Sequence, residues 1–514
     1  MLEQRIQELK GQLLERVDVL KAETHAEVDL TLEWLREMAQ KPQEGPGEHD
    51  VSRAIWTHLL QLGLKMEQYF IAQVGPGDLG ESAELDDGRV VSRLDLVKRR
   101  LVTVFGEILF ERCVYGTRAG QKYELIPTDQ RLQLPDSEMS FLLQEWDQLL
   151  GLDSAFGGVR EVMQTLLGIK QSVATLELTN QQMAAAVPEF LEAQAAPDPK
   201  AEGELLIVTE DNKGIPMVRP VEEPRPAGHP TKGQKKNKKR MACVGCVYSV
   251  DRQVRTPEEL VATLFRDDDR PRHQPPEAKQ KRYRAELTRE LDGEVRLGQT
   301  QVFEALRDQI QLRRQPGQTL VNLSDGQRSL ETDRREYLPQ DEHTVDVLDL
   351  MHVLPRVWRA AHLFHREGSA EAERFVRERL LQILRGQLPT VIRSLRQLSR
   401  KLTKPKQQEL AKVLAFWKHN AHRMKYDEYL AAGYPIATGV IEGACRHLVK
   451  DRMERSGMRW KVPGAQAMLH LRAVYANGDW TTYQAFRVTH ETERLYPNRS
   501  PLKNRDWPCL VNAA

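Results

Sequence analysis

Between residues 205 and 350 the chain carries short β-branched runs, each about one strand long, set apart by charged stretches and turn formers. These are LLIV at 205–208, IPMV at 215–218, MACVGCVYSV at 241–250, TLVNLSDG at 319–326 and HTVDVLDL at 343–350. Short apolar runs bounded by Gly, Pro, Asn and Asp are the pattern of buried strands. Charged sequence with helical spacing fills 256–313, and helical spacing resumes at Met351 and runs to about Tyr429. Three strands, a helix, a strand, a helix and a further strand constrain the chain to a mixed sheet flanked by helices. The expected fold is therefore α/β, with a mixed five-stranded sheet over 204–354, an all-helical insertion over 355–430 and the return of the core over 431–480.

Upstream, the sequence is mainly helical. Leu2, Ile6, Leu9, Leu13, Val17 and Leu20 step by threes and fours, close to a heptad seam. That seam serves either packing on its own chain or self-association, and the helical region extends over 1–95. LVTVFGEILFERCVY at 101–115 alternates on both sides of Gly106-Glu107 and predicts a β-hairpin, the centre of a ribbon module over 96–136. Helical spacing returns over 137–192. Within it a helix breaks at Gly168 and a second opens at Ser172, a good N-cap, with Glu177 in its first turns. This is compatible with a helix-turn-helix or with an ordinary helical hairpin. LEAQAAPDPKAEG at 191–203 is the clearest linker, and 481–514 forms a C-terminal tail.

Charge and cysteine content limit the function classes. Lys plus Arg is 75 and Asp plus Glu is 74, a net charge of +1, which excludes a uniformly basic scaffold but leaves room for a basic groove. Apolar runs long enough to span a bilayer and a secretory leader are both absent, so no membrane association and a soluble, cytosolic, reducing location are expected. The five cysteines, Cys113, Cys243, Cys246, Cys445 and Cys509, are too few and too scattered for a disulfide framework. Cys243 and Cys246 form a C-x-x-C inside a strand pattern with no second ligand pair, and read as strand cysteines.

Two acids sit where a sheet would collect them. Asp211 and Asp325 each follow a short apolar strand, and Glu442 opens a helix after Gly439. Carboxylates from such rigid elements are the hard oxygen donors that two Mg²⁺ (or Mn²⁺) ions need for phosphodiester chemistry. Each acid alone also has an ordinary structural use: Asp325-Gly326 as a turn, Asp211 as a hairpin turn, Glu442 as an N-terminal helix carboxylate. At α-helical spacing Arg446 and Lys450 share the face of Glu442, and Arg452, Arg455, Arg459 and Lys461 follow, a cationic stretch suited to a phosphate backbone or to a solvated salt-bridged helix. Trp460 is either a base-stacking residue or a core anchor. The run TKGQKKNKKR at 231–240, with Lys235, Lys236, Lys238 and Lys239, reads as a loop that is either solvated surface or suited to gathering DNA phosphates.

GVIEGACRHLVKDRMERSGMRW at 439–460 closely resembles the glutamate-helix motif of bacterial insertion-sequence transposases of the ISKra type. LDLMHVLPRVW at 348–358 resembles that family's Asp-x-x-His segment, and FGEILFERCVYG at 105–116 its N-terminal ribbon; the resemblance runs over about 95–480. It implies a DDE transposase with a ribonuclease H-like core that cuts transposon ends and joins 3′ hydroxyls to target DNA. It assigns Asp211, Asp325 and Glu442 to catalysis and metal binding, with Asp349 and His352 as a downstream auxiliary pair and Asp349 the rival second ligand. The first acid is usually followed by Gly; here Asn212 is expected to take the same left-handed turn. The same context turns 154–186 towards a helix-turn-helix reading transposon ends. Double-stranded DNA is the implied partner, and holding two ends implies a homo-oligomer. The rival classes are an inactive, domesticated DNA-binding derivative and a purely structural coiled-coil protein.

Overall fold

The computed structural model describes residues 1–41, 45–118, 120, 123–218, 239–270, 276–291, 293–437, 439–455 and 457–503. It divides into two compact units, Met1–Ala186 with Thr481–Ala514, and Val187–Trp480. Among the described residues no helix is long and apolar enough to cross a membrane.

In the first unit, helix Leu2–Ala39 packs along helix Glu48–Val74. Ile6 is buried among Leu79, Val91, Cys113 and Tyr115, while Val17 and Leu20 are buried against Ala72. The seam read from the sequence is therefore covered by the chain itself. A three-stranded sheet follows: β1 (Ser82–Glu84), β2 (Val90–Thr103) and β3 (Gly106–Gly116). The expected hairpin is present but longer, and it turns at Val104-Phe105 rather than at Gly106-Glu107, because Thr103 pairs with Gly106. Helices Phe141–Gly151, Phe156–Leu167 and Val173–Ala184 pack on one another. The second ends at Gly168 with φ 71°, and Ser172 Oγ accepts from Thr175 N at 3.0 Å to open the third, as its sequence predicts.

The second unit is a mixed α/β fold built on a five-stranded mixed sheet. Its strands are β4 (Leu205–Pro216), β5 (Lys239–Val250), β6 (Lys279–Leu287), β9 (Leu320–Ser324) and β10 (Thr344–Leu348). A small hairpin, β7 (Arg289–Leu291) with β8 (Glu294–Arg296), lies between β6 and β9 in the chain. The sheet order is β10-β9-β4-β5-β6; β4, β9 and β10 run parallel, and β5 and β6 are antiparallel to their neighbours.

Two strand expectations are corrected. The runs at 205–208 and 215–218 are not separate strands: β4 continues through 209–214, because every residue from Leu205 to Pro216 pairs with β5. Asn212 accordingly lies within the ladder, paired with Cys243, and takes no left-handed turn. The missing antiparallel strand is β6, KQKRYRAEL, whose charges read as a helix. Those charges suit an edge position, where one side of the strand meets solvent. Its outer edge is nonetheless closed: Gln466 and Asn477 accept from Leu287 N and Tyr283 N, both at 2.7 Å. They also donate back to Ala285 O and Tyr283 O.

The sheet has apolar layers on both faces. Leu206, Val208, Cys243, Val247 and Leu320 pack on helix Gly298–Arg313. That helix approaches so closely that a Cβ on Gly245 would lie 2.6 Å from Val302. Ile207, Cys246, Val321, Leu323 and Val347 pack on the other face against helix Leu350–Phe364 and the insertion helices Ala370–Leu384, Leu388–Ser399, Lys404–His419 and Tyr426–Ala431. Cys243 and Cys246 thus serve opposite cores, as the strand reading of the C-x-x-C requires.

Candidate functional site

The parallel ladders define where the acids go. The last pair of β4 with β9 is Val208 with Asn322, and Asp211 and Asp325 each lie three residues beyond it. The last pair of β9 with β10 is Ser324 with Leu348, and Asp325 and Asp349 each lie one residue beyond it. Carried past their last pairs, the two registers put Asp211, Asp325 and Asp349 at one level: Asp325 and Asp349 just past the ends of β9 and β10, and Asp211 within β4, where it pairs with Val244 of β5. Neighbouring strands are spaced by about 4.8 Å, and in-register residues share a face.

The three aspartates have different surroundings. Asp211 is half-buried; Asn212 N donates to its Oδ1 at 2.6 Å and the Cys445 thiol to its Oδ2 at 3.5 Å. Burial raises the Asp211 carboxyl, the Asn212 N–H partly offsets this, and the charge of Asp325 raises it further. Asp325 Oδ1 accepts from Gln327 N at 2.7 Å, and Gly326 follows with φ 84°, so this acid also makes the turn that its Asp-Gly sequence suggests. Asp349 is 2 % exposed and caps helix Leu350–Phe364, accepting from Met351 N at 2.7 Å. One turn on, His352 is half-buried with Nδ1 unpartnered, and its charge bears on Asp211.

Glu442 is exposed on the short helix Gly439–Ala444, which runs on as a π-helical stretch, Cys445–Lys450, and ends at Met453. Cys445 lies three residues after Glu442, so its bond to Asp211 brings the glutamate helix against β4 one turn from the glutamate. The far end of the segment is tied to the same strand: Trp460 N donates to Pro216 O at 3.0 Å and Val218 N to Trp460 O at 2.9 Å. Arg472 donates to Leu448 O at 3.1 Å and to His447 O, taking up carbonyls of the π stretch. Among the described residues, however, no three His, Cys, Asp or Glu side chains gather closely enough to hold a metal ion.

The cations divide. Arg446, Lys450, Arg455 and Arg459 are exposed, and Arg446 reaches Asp451 at 3.5 Å. Arg452 is 1 % exposed with its guanidinium 5.0 Å from the ring centre of Trp460, so it packs rather than faces solvent. Trp460 is a core anchor, donating from Nε1 to Met453 O at 3.2 Å. Lys239 is on β5 and pairs with Glu454. Lys235, Lys236 and Lys238 lie outside the described residues.

Beneath the strand ends is a buried ionic framework that motif reading did not find. Glu210 is fully buried and binds Arg334 of helix Arg328–Tyr337 through one oxygen, at 2.6 and 3.1 Å. Arg423 donates to Ser324 Oγ at 3.2 Å and lies 3.6 Å from Glu331. Tyr426 and Tyr429 donate to Leu348 O and Asp346 O at 2.8 and 3.0 Å. The chain returning from the helical insertion is thereby pinned to the ends of β9 and β10. The only sequence signals were an apolar-strand Glu and Arg residues at internal helix positions.

No protein-family model matches the chain, and no curated protein does. Among solved structures, one similar chain comes from the Drosophila P element transposase strand transfer complex, at 11 % identity over 66 % of this chain and 80 % of that one. Its TM-score of 0.21 falls short of a shared fold.

Proposed function

We propose that this chain is a DDE-type DNA transposase with a ribonuclease H-like core, acting on double-stranded transposon ends and target DNA. The observation that carries the reading is that the charge of Asp325, just past the end of β9, bears on Asp211 of the neighbouring parallel strand β4, with the helix of Glu442 bonded to Asp211 through Cys445. The order of elements supports it: three antiparallel strands, then a helix and a parallel strand, then a helix and another. The ISKra-type resemblance of 439–460 supplies the specific chemistry.

Asp211, Asp325 and Glu442 are the residues that would hold two Mg²⁺ or Mn²⁺ ions. Their fit to such ions rests on the donor set: two carboxylates crowd one another at a partly buried strand end, and a divalent cation would relieve both the burial and the repulsion that raise Asp211. When bound, such ions activate a water or 3′ hydroxyl and stabilise the leaving oxygen. The protein's own part is to fix Asp211 and Asp325 on rigid strands, to hold the glutamate helix on β4, and to offer Arg446, Lys450, Arg455 and Arg459 to phosphates. Two ends cut together call for a homo-oligomer in a bacterial, nucleoid-associated setting.

A second reading, a derivative that binds DNA without cutting it, is favoured by the absence of a gathered three-acid group among the described residues. The test is a plasmid carrying the DNA that flanks this coding region, incubated with the full chain and Mg²⁺. Cleavage and strand transfer that vanish for Asp211→Asn, Asp325→Asn and Glu442→Gln, with binding retained, support the transposase. Binding without any metal-dependent product supports the second reading and removes the first.

A further inference from the structure

Helix Leu350–Phe364 presents more to the strand ends than its first two turns. Asp349, His352 and Arg356 are spaced i, i+3 and i+7, so they line one face. Arg356 is half-buried and donates to His352 O. Its guanidinium lies 3.5 Å from the ring centre of Phe416, on helix Lys404–His419. Phe416 in turn abuts the Asp325 turn: a Cβ on Gly326 would lie 3.3 Å from Phe416 Cε2. The guanidinium is therefore held on an aromatic plate beside Asp325. Among the described residues it has no carboxylate within ion-pair distance. Burial and then the neighbouring Arg359 weaken its hold on the proton, and Asp325 is the charge that pulls the other way.

A half-buried cation with no anionic partner is costly to keep. One N–H of the guanidinium is taken by His352 O, and its seat on the ring leaves the remaining N–H donors for a ligand such as a phosphate oxygen. We infer that Arg356, seated on Phe416, is a phosphate-contacting residue that grips one phosphodiester of bound DNA beside Asp325. The site takes a backbone phosphate, needs no base identity and is separate from the exposed cations at 446–459. This assignment rests on the DNA-acting reading above, and it adds a contact from the helical insertion to the strand ends.

The test is equilibrium binding of a fluorescent duplex to the full chain without divalent metal, at a series of NaCl concentrations. A single lost phosphate contact lowers the slope of log K against log salt by about 0.9. Arg356→Ala is expected to show that reduction with about tenfold or more weaker binding, while Arg356→Lys keeps the slope and binds at intermediate strength. Arg356→Gln, whose stem still covers the ring, serves if the alanine variant does not fold, with thermal unfolding as the check. A wild-type slope in Arg356→Ala or Arg356→Gln overturns the assignment and leaves the DNA-acting reading intact. Salt-independent or absent duplex binding by the wild type overturns that reading, and the assignment falls with it.

Discussion

The Cys445 thiol donates to Asp211 Oδ2 across 3.5 Å, joining the glutamate helix to the first of the candidate acids. Its environment is apolar enough to push the thiol well above its ordinary range, first by burial and then by the charge of Asp211. The thiol therefore acts as a neutral donor and a spacer. Cys445→Ser keeps a donor of similar size and is expected to retain DNA-end cleavage within a few-fold. Cys445→Leu forces extra methylenes into a packed site, which costs about 1–3 kcal/mol, and displaces Asp211. Cleavage at least tenfold below wild type is expected for it, and wild-type cleavage by Cys445→Leu would show that the contact has no part in placing the acid.

On the proposed function Asp325 and Asp349 are rivals for the second ligand position; each accepts from the backbone N–H two residues on, but Asp349 does so as the buried cap of a helix while Asp325 makes an Asp-Gly turn. Asp349 caps a helix through its side chain, a role that Asn fills about as well and Ala loses at about 1 kcal/mol. Asp349→Asn is thus expected to unfold at the same urea concentration as wild type and to keep cleavage. Asp325→Asn is expected to remain folded and lose cleavage. The reverse pair of activities would move the second ligand to Asp349.

Glu210 and Arg334 form a buried pair immediately before Asp211. Burial raises the Glu210 carboxyl, and Arg334 holds it down. Breaking such a pair on one side leaves an uncompensated buried charge, worth about 3–5 kcal/mol. Arg334→Ala is expected to lose stability on that scale in urea titrations of the full chain. Replacing both partners, as Glu210→Leu with Arg334→Met, should recover most of it. A loss below about 1 kcal/mol for the single variant would mean that water or another group satisfies Glu210.

On β6, Glu286 is enclosed with His470, Arg284 and Arg289 at 2.9, 2.8 and 2.7 Å. Burial alone would raise its carboxyl, but His470, Arg284 and Arg289 together lower it to about 2. A carboxylate depressed on folding stabilises the native state above its unfolded value of about 4.5, and the contribution is lost as pH falls towards about 2. Unfolding free energies measured from pH 6 down to pH 3 should fall more steeply for wild type than for Glu286→Gln. Parallel curves would remove Glu286 as the source of the acid sensitivity.

TLVNLS was legible because β9 is buried on both faces, and HTVDVL because Val345, Val347 and Leu348 form a short apolar run even at the sheet edge. β6 was hidden because its charges are taken up by partners such as Asp251 for Lys279 and Asp479 for Arg282, and local sequence does not separate such a strand from a charged helix. The turn expected at Asn212 failed for a similar reason: pairing with β5 carries β4 straight through a polar stretch that by itself suggests a bend. Asp211, Asp325 and Glu442 could be picked out as chemistry-bearing acids, but the shared level of Asp211, Asp325 and Asp349 depends on register, which is a property of pairs. Arg356 had no signal at all, since its significance lies in Phe416, sixty residues away in sequence.

The amide side chains of Gln466 and Asn477, lying along the outer margin of β6, occupy donors and acceptors that another strand would otherwise use. Copies of this chain are consequently barred from joining by extension of the five-stranded sheet at that side. On the proposed function, the contacts that hold two DNA ends in one assembly would have to form elsewhere than along β6.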